Sequence, residues 1–334
     1  MSLIYFFIDG IGIGENNAEK NPFSRYATSI LQVCTGKLYI DNGLHKKFKV
    51  YPLDANMGIA GLPQSATGQT SLWTGVNAPK IIGYHITGFP GPKLKTIIYD
   101  HSIIKKFKEH QLRATFLNAY TPKFLKKLEK LPRIASASTH TQKASGQNLF
   151  TINDILNKRA LYMDITHHIM HEYYPELKEV VPIMDPIQRG RDAVEISHNY
   201  DLVIFEYFLS DKAGHSQSFE AAKFIIEKLE RFIQGILEAL DKDDTLIIVS
   251  DHGNLEDLSV KTHTNNLVPL IVSGRLQKEF QNLNYLNDVP LRIYEIFGIE
   301  PEIDEEYYIH LFSQDKSNET ESVNIDLNEA MINY

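Results

Sequence analysis

Six side chains of two types stand out along the chain: Asp9, Asp211, His215, Asp251, His252 and His263. Asp211 and His215 are four positions apart, so a helical turn places them on one face. Asp251 and His252 are neighbours in Asp251-His252-Gly253-Asn254, and His263 follows His252 by 11 positions. Mixed carboxylate and imidazole donors suit Zn²⁺ or Mn²⁺ better than Ca²⁺ or Mg²⁺. Six donors, with a hydroxyl as a seventh, are too many for one tetrahedral ion. They are enough for two divalent ions sharing a bridging group. Singly, each residue has a plainer use. Asp9 can cap a turn, Asp211 and His215 can be a helix cap and a surface histidine, the Asp251 turn can be an ordinary polar loop, and His263 can be structural. The joint pattern is what points to metal.

A hydroxyl for that chemistry is available in Pro63-Gln64-Ser65-Ala66-Thr67-Gly68-Gln69. A loop running into a helix over 65–74, stopped by Gly75, offers the positive end of the helix dipole to a phosphate. A serine or threonine there, bound to a metal, can lose its proton and act as a nucleophile. Side-chain chemistry alone leaves Ser65 and Thr67 equivalent, and a plain helix cap is the alternative use of either.

These groups need elements that bring them together. Residues 3–8, 202–208 and 245–250 are apolar runs of strand length. The first ends at Asp9, the second is followed by Asp211, and the third ends at Asp251. Between the last two, residues 218–240 have the apolar spacing of a long amphipathic helix. Strand, helix, strand predicts a parallel sheet, whose sites form outside the carboxyl ends of the strands. A further apolar run at 267–272 follows His263. Residues 103–111 and 122–130 read as helices, 113–120 as one strand and 134–148 as a polar loop. Residues 313–334 are polar and acidic and read as a tail.

The 334 residues carry 43% hydrophobic and 23% charged side chains, ordinary globular values that exclude disorder, collagen and coiled coil. Lys+Arg 34 against Asp+Glu 42 gives a net charge of −8, so no basic nucleic-acid footprint is present. The single cysteine, Cys34, excludes an internal disulfide and a Cys-rich zinc module. No run is long enough to span a membrane, and the first residues lack the pattern of a secretion signal. A cytoplasmic location is therefore expected. No oligomeric state is legible.

Four blocks, in order, resemble the alkaline phosphatase superfamily of metalloenzymes, especially its cofactor-independent phosphoglycerate mutase and phosphopentomutase branch. They are Ile8-Asp9-Gly10-Ile11-Gly12, Gln64-Ser65-Ala66-Thr67-Gly68-Gln69, Asp211-Lys212-Ala213-Gly214-His215, and Ser250-Asp251-His252-Gly253-Asn254-Leu255-Glu256 with His263-Thr264-Asn265-Asn266-Leu267-Val268-Pro269. The resemblance implies an α/β fold with a mostly parallel, alkaline-phosphatase-like sheet flanked by helices. It implies a core over 1–312 with a small cap-like insertion around 120–190. It also implies one metal held by Asp9, Ser65, Asp251 and His252, and another held by Asp211, His215 and His263. In relatives the nucleophile precedes a Thr-Gly pair by nine positions; counting back from Thr74 selects Ser65. The implied reaction is attack by Ser65 on a small phosphate ester through a phosphoserine, with two Mn²⁺ or Zn²⁺ ions.

The chain departs from the mutases at Gln69, where they carry histidine. The space for a cap is small, and Arg189 and Arg191 are the only close arginine pair. A phosphohydrolase or phosphodiesterase is therefore the leading expectation and a phosphomutase the second. The sulfatase branch is disfavoured because Thr67 and Gln69 replace its Pro and Arg. A dinucleotide-binding oxidoreductase fails because Glu15 stands where its third glycine belongs. A metal-binding scaffold without catalysis is the remaining alternative. Lys212 and His85 are candidate substrate contacts. Asn254 and Glu256 are candidates for orienting the metal ligands.

Overall fold

A computed structural model describes residues 1–37 and 48–314. Nine strands lie among these residues: β1 (Leu3–Ile8), β2 (Phe48–Leu53), β3 (Ala114–Phe116), β4 (Asn118–Tyr120), β5 (Phe150–Thr151), β6 (Leu161–Tyr162), β7 (Leu202–Tyr207), β8 (Thr245–Val249) and β9 (Val268–Gly274). Six of them form the main sheet in the order β2-β9-β8-β1-β7-β3. β1 is the central strand, parallel to β7 on one side and to β8 on the other. β9 pairs antiparallel with both β8 and β2, so it alone runs against the other five. The fold is α/β, with a mostly parallel sheet between helices, as the strand pattern predicts.

Every residue of β1, β7 and β8 is buried. That is why these strands read as unbroken apolar runs: helices cover both faces. Ile4, Phe6 and Ile8 face one core with Phe205, Phe232 and Ile248. Leu3, Tyr5 and Phe7 face the other with Trp73, Ile204 and Ile247. Helices Pro186–Ser197 and Phe219–Ala239 cross closely on the first face. A Cβ on Gly235 would stand 2.0 Å from the Ile187 carbonyl oxygen, and one on Gly190 would stand 2.2 Å from that of Phe232. Only glycine permits this approach.

Three expectations need correction. The run 113–120 is not one strand: β3 belongs to the main sheet, and β4 joins β5 and β6 in a second, three-stranded sheet. The Asn118 side chain covers the break, donating to the Glu206 carbonyl at 2.8 Å and accepting from the Glu206 N–H at 2.9 Å. Residues 134–148 are not a loop, since they contain helix Ala137–Ala144 with its N-terminus capped by Ser136. Ser138, Thr139, Thr141 and Gln142 are buried and hydrogen-bonded inside, Gln142 accepting from the Phe116 N–H at 3.1 Å. Polar composition there reflects an internal network, not solvent. Finally, helix Glu305–Gln314 runs past residue 312, and residues 315–334 of the expected tail lie outside the described residues. Among the described residues no helix is long and apolar enough to cross a membrane.

Candidate metal centre

The main sheet delivers the predicted donors to one edge. Asp9 follows β1, and its N–H pairs with the Tyr207 carbonyl at 2.9 Å. Gly10 turns away at φ +69°, and a Cβ there would lie 2.7 Å from the Asp211 carboxylate. β7 leads directly into helix Leu209–Ser216, with Asp211 in its first turn and His215 in its last. β8 ends beside Ser250, Asp251 and His252. Because β9 is reversed, the chain just before it returns to this same edge and brings His263.

Two groups of donor atoms form there, Asp9-Asp251-His252 and Asp211-His252-His263, each within 4.8 Å. His252 Nε2 lies 3.4 Å from Asp9 Oδ1, 3.6 Å from Asp251 Oδ2 and 3.0 Å from Ser65 Oγ. His215 Nε2 is 3.3 Å from one Asp211 oxygen, and His263 Nε2 is 3.6 Å from the other. His215 Nδ1 lies 2.8 Å from the Lys261 carbonyl and His263 Nδ1 2.9 Å from that of Pro63. A carbonyl only accepts, so Nδ1 carries a proton and Nε2 is the ring atom directed at the carboxylates.

The electrostatics of the group call for cations. Burial, then repulsion from Asp251 and Asp211, raises the Asp9 carboxyl well above its usual range. Asp251 is raised in the same way, by burial and by Asp211. For Asp211, burial works upward but is outweighed by the His215 hydrogen bond and the neighbouring imidazoles, so its carboxyl is held low. Burial also lowers His252 and His263, which keeps them neutral. Asp9 Oδ1 has no hydrogen-bond partner. Among the described residues, the ion-pair partners of Asp9, Asp211 and Asp251 are histidines alone. Three buried carboxylates with imidazoles and no lysine or arginine between them fit divalent metal ions.

Surrounding groups hold the donors in place. Asn254 donates to Asp211 Oδ1 at 2.6 Å. Glu256 accepts from the N–H groups of Gly12 and Asn254, both at 2.8 Å, and from Asn266 Nδ2 at 2.9 Å. Ser210 Oγ donates to the Asp9 carbonyl at 2.6 Å, and Ser250 Oγ accepts from the Ile11 N–H at 2.9 Å. Two contributors escaped the sequence reading. Gln69 Nε2 donates to Asp9 Oδ2 at 3.1 Å and to Asp251 Oδ2 at 3.3 Å. Its spacing from Ser65, one helical turn, was the available signal. Glu206 is buried in β7, accepts from Ser138 Oγ, and is pushed up to about 7 by burial. A carboxylate inside an otherwise apolar strand was the signal there.

The two hydroxyls differ. Ser65 is the first residue of helix Ser65–Thr74, and its Oγ faces His252. Thr67 is fully buried, its Oγ1 donating to the Gln64 carbonyl at 3.1 Å and accepting from the Ile86 N–H at 3.3 Å. Other candidates do not join the cluster. Lys212 lines an apolar cleft of about 330 Å³ with Met163, Ile169 and Tyr173, around the helix from Asp211. His85 Nε2 lies 3.3 Å from the Ile59 carbonyl, and its ring lines a shallow pocket with Gln64. Arg189 pairs with Asp192, and Arg191 pairs with Glu238 at 2.7 Å.

Residues 173–301 match the model of the Metalloenzyme superfamily. Over 117 residues the chain is 32% identical to the 2,3-bisphosphoglycerate-independent phosphoglycerate mutase of Pseudomonas fluorescens, covering 33% of this chain and 23% of that protein. The enzyme of the same name from Shewanella sediminis is 34% identical over 117 residues, covering 33% and 22%. The aligned stretch thus spans less than a quarter of either mutase. Among solved structures, alkaline phosphatase of Thermus thermophilus superposes with a TM-score of 0.54 at 10% identity, covering 93% of this chain and 95% of that one. The alkaline phosphatase of the Antarctic bacterium TAB5 gives 0.51 at 13%, covering 89% and 98%. Residues 173–301 are therefore similar to the Metalloenzyme superfamily, and the chain that carries them has an alkaline-phosphatase-like fold.

Proposed function

We propose that this chain is a two-metal phosphohydrolase acting on a small phosphate ester, with Ser65 as nucleophile. The observation that carries the reading is the Ser65 hydroxyl at a helix N-terminus, 3.0 Å from His252 Nε2 and beside the Asp9-Asp251 pair. In this reading Asp9, Ser65, Asp251 and His252 hold one divalent ion, and Asp211, His215 and His263 hold the other; Mn²⁺ and Zn²⁺ both suit these donors. When bound, such ions supply Lewis acidity that lowers the hydroxyl pKa and offsets charge on the attacking and leaving oxygens.

The chain's own residues do the rest. Gln69 steadies the Asp9 and Asp251 carboxylates that would hold the ion beside Ser65. Burial keeps His252 neutral, so its Nε2 could hold the ion that it would share with the Ser65 hydroxyl 3.0 Å away. The Ser65 oxygen attacks phosphorus in line and the alcohol leaves, giving a phosphoserine. Water then attacks that phosphorus, releasing phosphate and restoring the serine.

Hydrolysis is favoured over mutase chemistry by the modest size of the insertion. Residues 118–162 hold the small three-stranded sheet and three short α-helices, Pro122–Lys130, Ala137–Ala144 and Ile152–Leu156, and Ala137–Ala144 packs back onto the main body. The arginines of 189–191 are engaged by Asp192 and Glu238, and do not clamp a substrate. A phosphomutase is the second reading, supported by the named relatives. The test is turnover of p-nitrophenyl phosphate and its diester with Mn²⁺ or Zn²⁺, wild type beside Ser65→Ala. Metal-dependent release lost in the variant supports hydrolysis. No Ser65-dependent release, with phosphoryl transfer between hydroxyls of a glycerate or pentose phosphate, makes the mutase reading correct.

A further inference from the structure

A second cluster of the same donor types sits at the opposite edge of the main sheet. His198 follows helix Pro186–Ser197, Asp241 lies just beyond helix Phe219–Ala239, and Asp244 immediately precedes β8. The two helices cross closely where Gly190 and Ile187 of the first meet Phe232 to Ile236 of the second. A turn closed by the Asp244 N–H on the Asp241 carbonyl, at 3.0 Å, gathers the two carboxylates.

His198 Nε2 lies 3.3 Å from Asp241 Oδ2 and 3.3 Å from Asp244 Oδ2. Three donor atoms of these residues lie within 4.8 Å of one another. The Asp244 side chain is only 6% exposed. Its Oδ1 accepts from the Ser2 N–H at 2.7 Å, while Oδ2, aimed at the imidazole, has no hydrogen-bond partner. Charge-assisted hydrogen bonds run at about 2.7–2.9 Å, shorter than either contact here. Donors held at about 2.0–2.2 Å by a tetrahedral ion stand roughly 3.4 Å apart, close to both separations. Among the described residues, no lysine or arginine pairs with either carboxylate, and Arg275 points to Asp243 instead.

We propose that His198, Asp241 and Asp244 form a third metal site, separate from the Ser65 centre, that takes one Zn²⁺-type divalent ion with water completing its shell. One imidazole nitrogen with two carboxylate oxygens selects such an ion over Mg²⁺ or Ca²⁺. The negative end of the Pro186–Ser197 helix dipole adds to the attraction. His198 and Asp241, with side chains 46% and 69% exposed, leave the site open to solvent. The ion is a structural clip. Ser2 already donates from its hydroxyl to the Ser197 carbonyl at 2.9 Å and accepts from the Thr245 N–H at 3.0 Å. An ion on Asp244 fastens the amino ends of β1 and β8 to the end of one helix.

The test uses the full chain, stripped of metal and titrated with Zn²⁺ by calorimetry. Wild type is compared with His198→Gln/Asp241→Asn, two exposed positions that spare the Ser2–Asp244 bond. The expected result is one fewer ion bound per chain in the variant and a smaller rise in Tm on adding Zn²⁺. Equal stoichiometry and equal Tm shifts overturn the proposal. A second background, Asp9→Asn/Asp251→Asn/Asp211→Asn/His263→Ala, disables both ion positions at the opposite edge. There one Zn²⁺ should still bind and be lost on adding His198→Gln; no binding in that background also overturns it. Neither readout involves phosphate-ester turnover, so failure here and failure of the hydrolase reading are distinguishable.

Discussion

The two edges of the main sheet carry aspartate and histidine in similar contacts but opposite surroundings. At the carboxyl edge Asp9, Asp251 and His252 are buried, and the carboxyls are pushed toward their neutral forms. At the amino edge His198 and Asp241 face solvent and only Asp244 is enclosed. Water can stabilise the second group without any ion, whereas the first has carboxylates that repel one another in a dry site. Burial thus distinguishes a centre that depends on its ions from one that is only improved by them.

The largest test of that contrast is turnover. Ser65→Ala should lower kcat/KM for a phosphate ester by about 10³-fold or more. His198→Gln should leave it within about twofold, because it touches nothing at the carboxyl edge. A comparable loss in both variants breaks the contrast. Next is Gly235→Ala, which forces a methyl group into the Ile187 carbonyl. It should cost about 1–3 kcal/mol in urea unfolding, and it should weaken Zn²⁺ at the amino edge by spreading His198 from Asp241. Unchanged stability would mean that the helices yield without consequence.

Gln69→Ala removes the amide that bridges Asp9 and Asp251. Metal affinity at the carboxyl edge, read by competition with a chelating dye, should fall by about 10–100-fold. An unaltered affinity would reduce Gln69 to packing. The smallest effect is a pH dependence. Glu206 is raised from 4.5 to about 7 by burial, so the metal-free folded state binds this proton more tightly than the unfolded state. The stabilising contribution is complete below pH 4.5 and disappears as pH rises through about 7. Glu206→Gln should flatten Tm against pH across that window; equal slopes would assign the titration to another group.

Much of the carboxyl edge is legible in sequence because buried parallel strands leave unmistakable apolar runs. Asp9, Asp211 and Asp251 stand where those runs stop, and chain order supplies the parallel register. The direction of β9 is not legible, since an apolar run carries no sign. Yet that reversal is what returns His263 to the edge. Lys212 shares a short helix with two cluster members but lies around its axis, a rotation that residue proximity conceals. Helix Ala137–Ala144 was obscured because serine, threonine and glutamine read as loop when their partners, such as Glu206 and the Phe116 N–H, come from distant strands. The amino-edge cluster depends on the crossing of two helices, and no local spacing announces it.

The central place of β1 has a consequence for how the protein is made. Its six apolar residues leave the ribosome well before those of both its partners, β7 and β8, which are far downstream in the sequence. Until then the nascent protein carries an unpaired apolar strand with two open edges, a species prone to association. Closing the sheet requires contacts of high sequence separation, which form slowly. Asp9 therefore meets Asp211 and Asp251 only in the closing phase of folding, and metal uptake at that edge reports completion of the whole sheet.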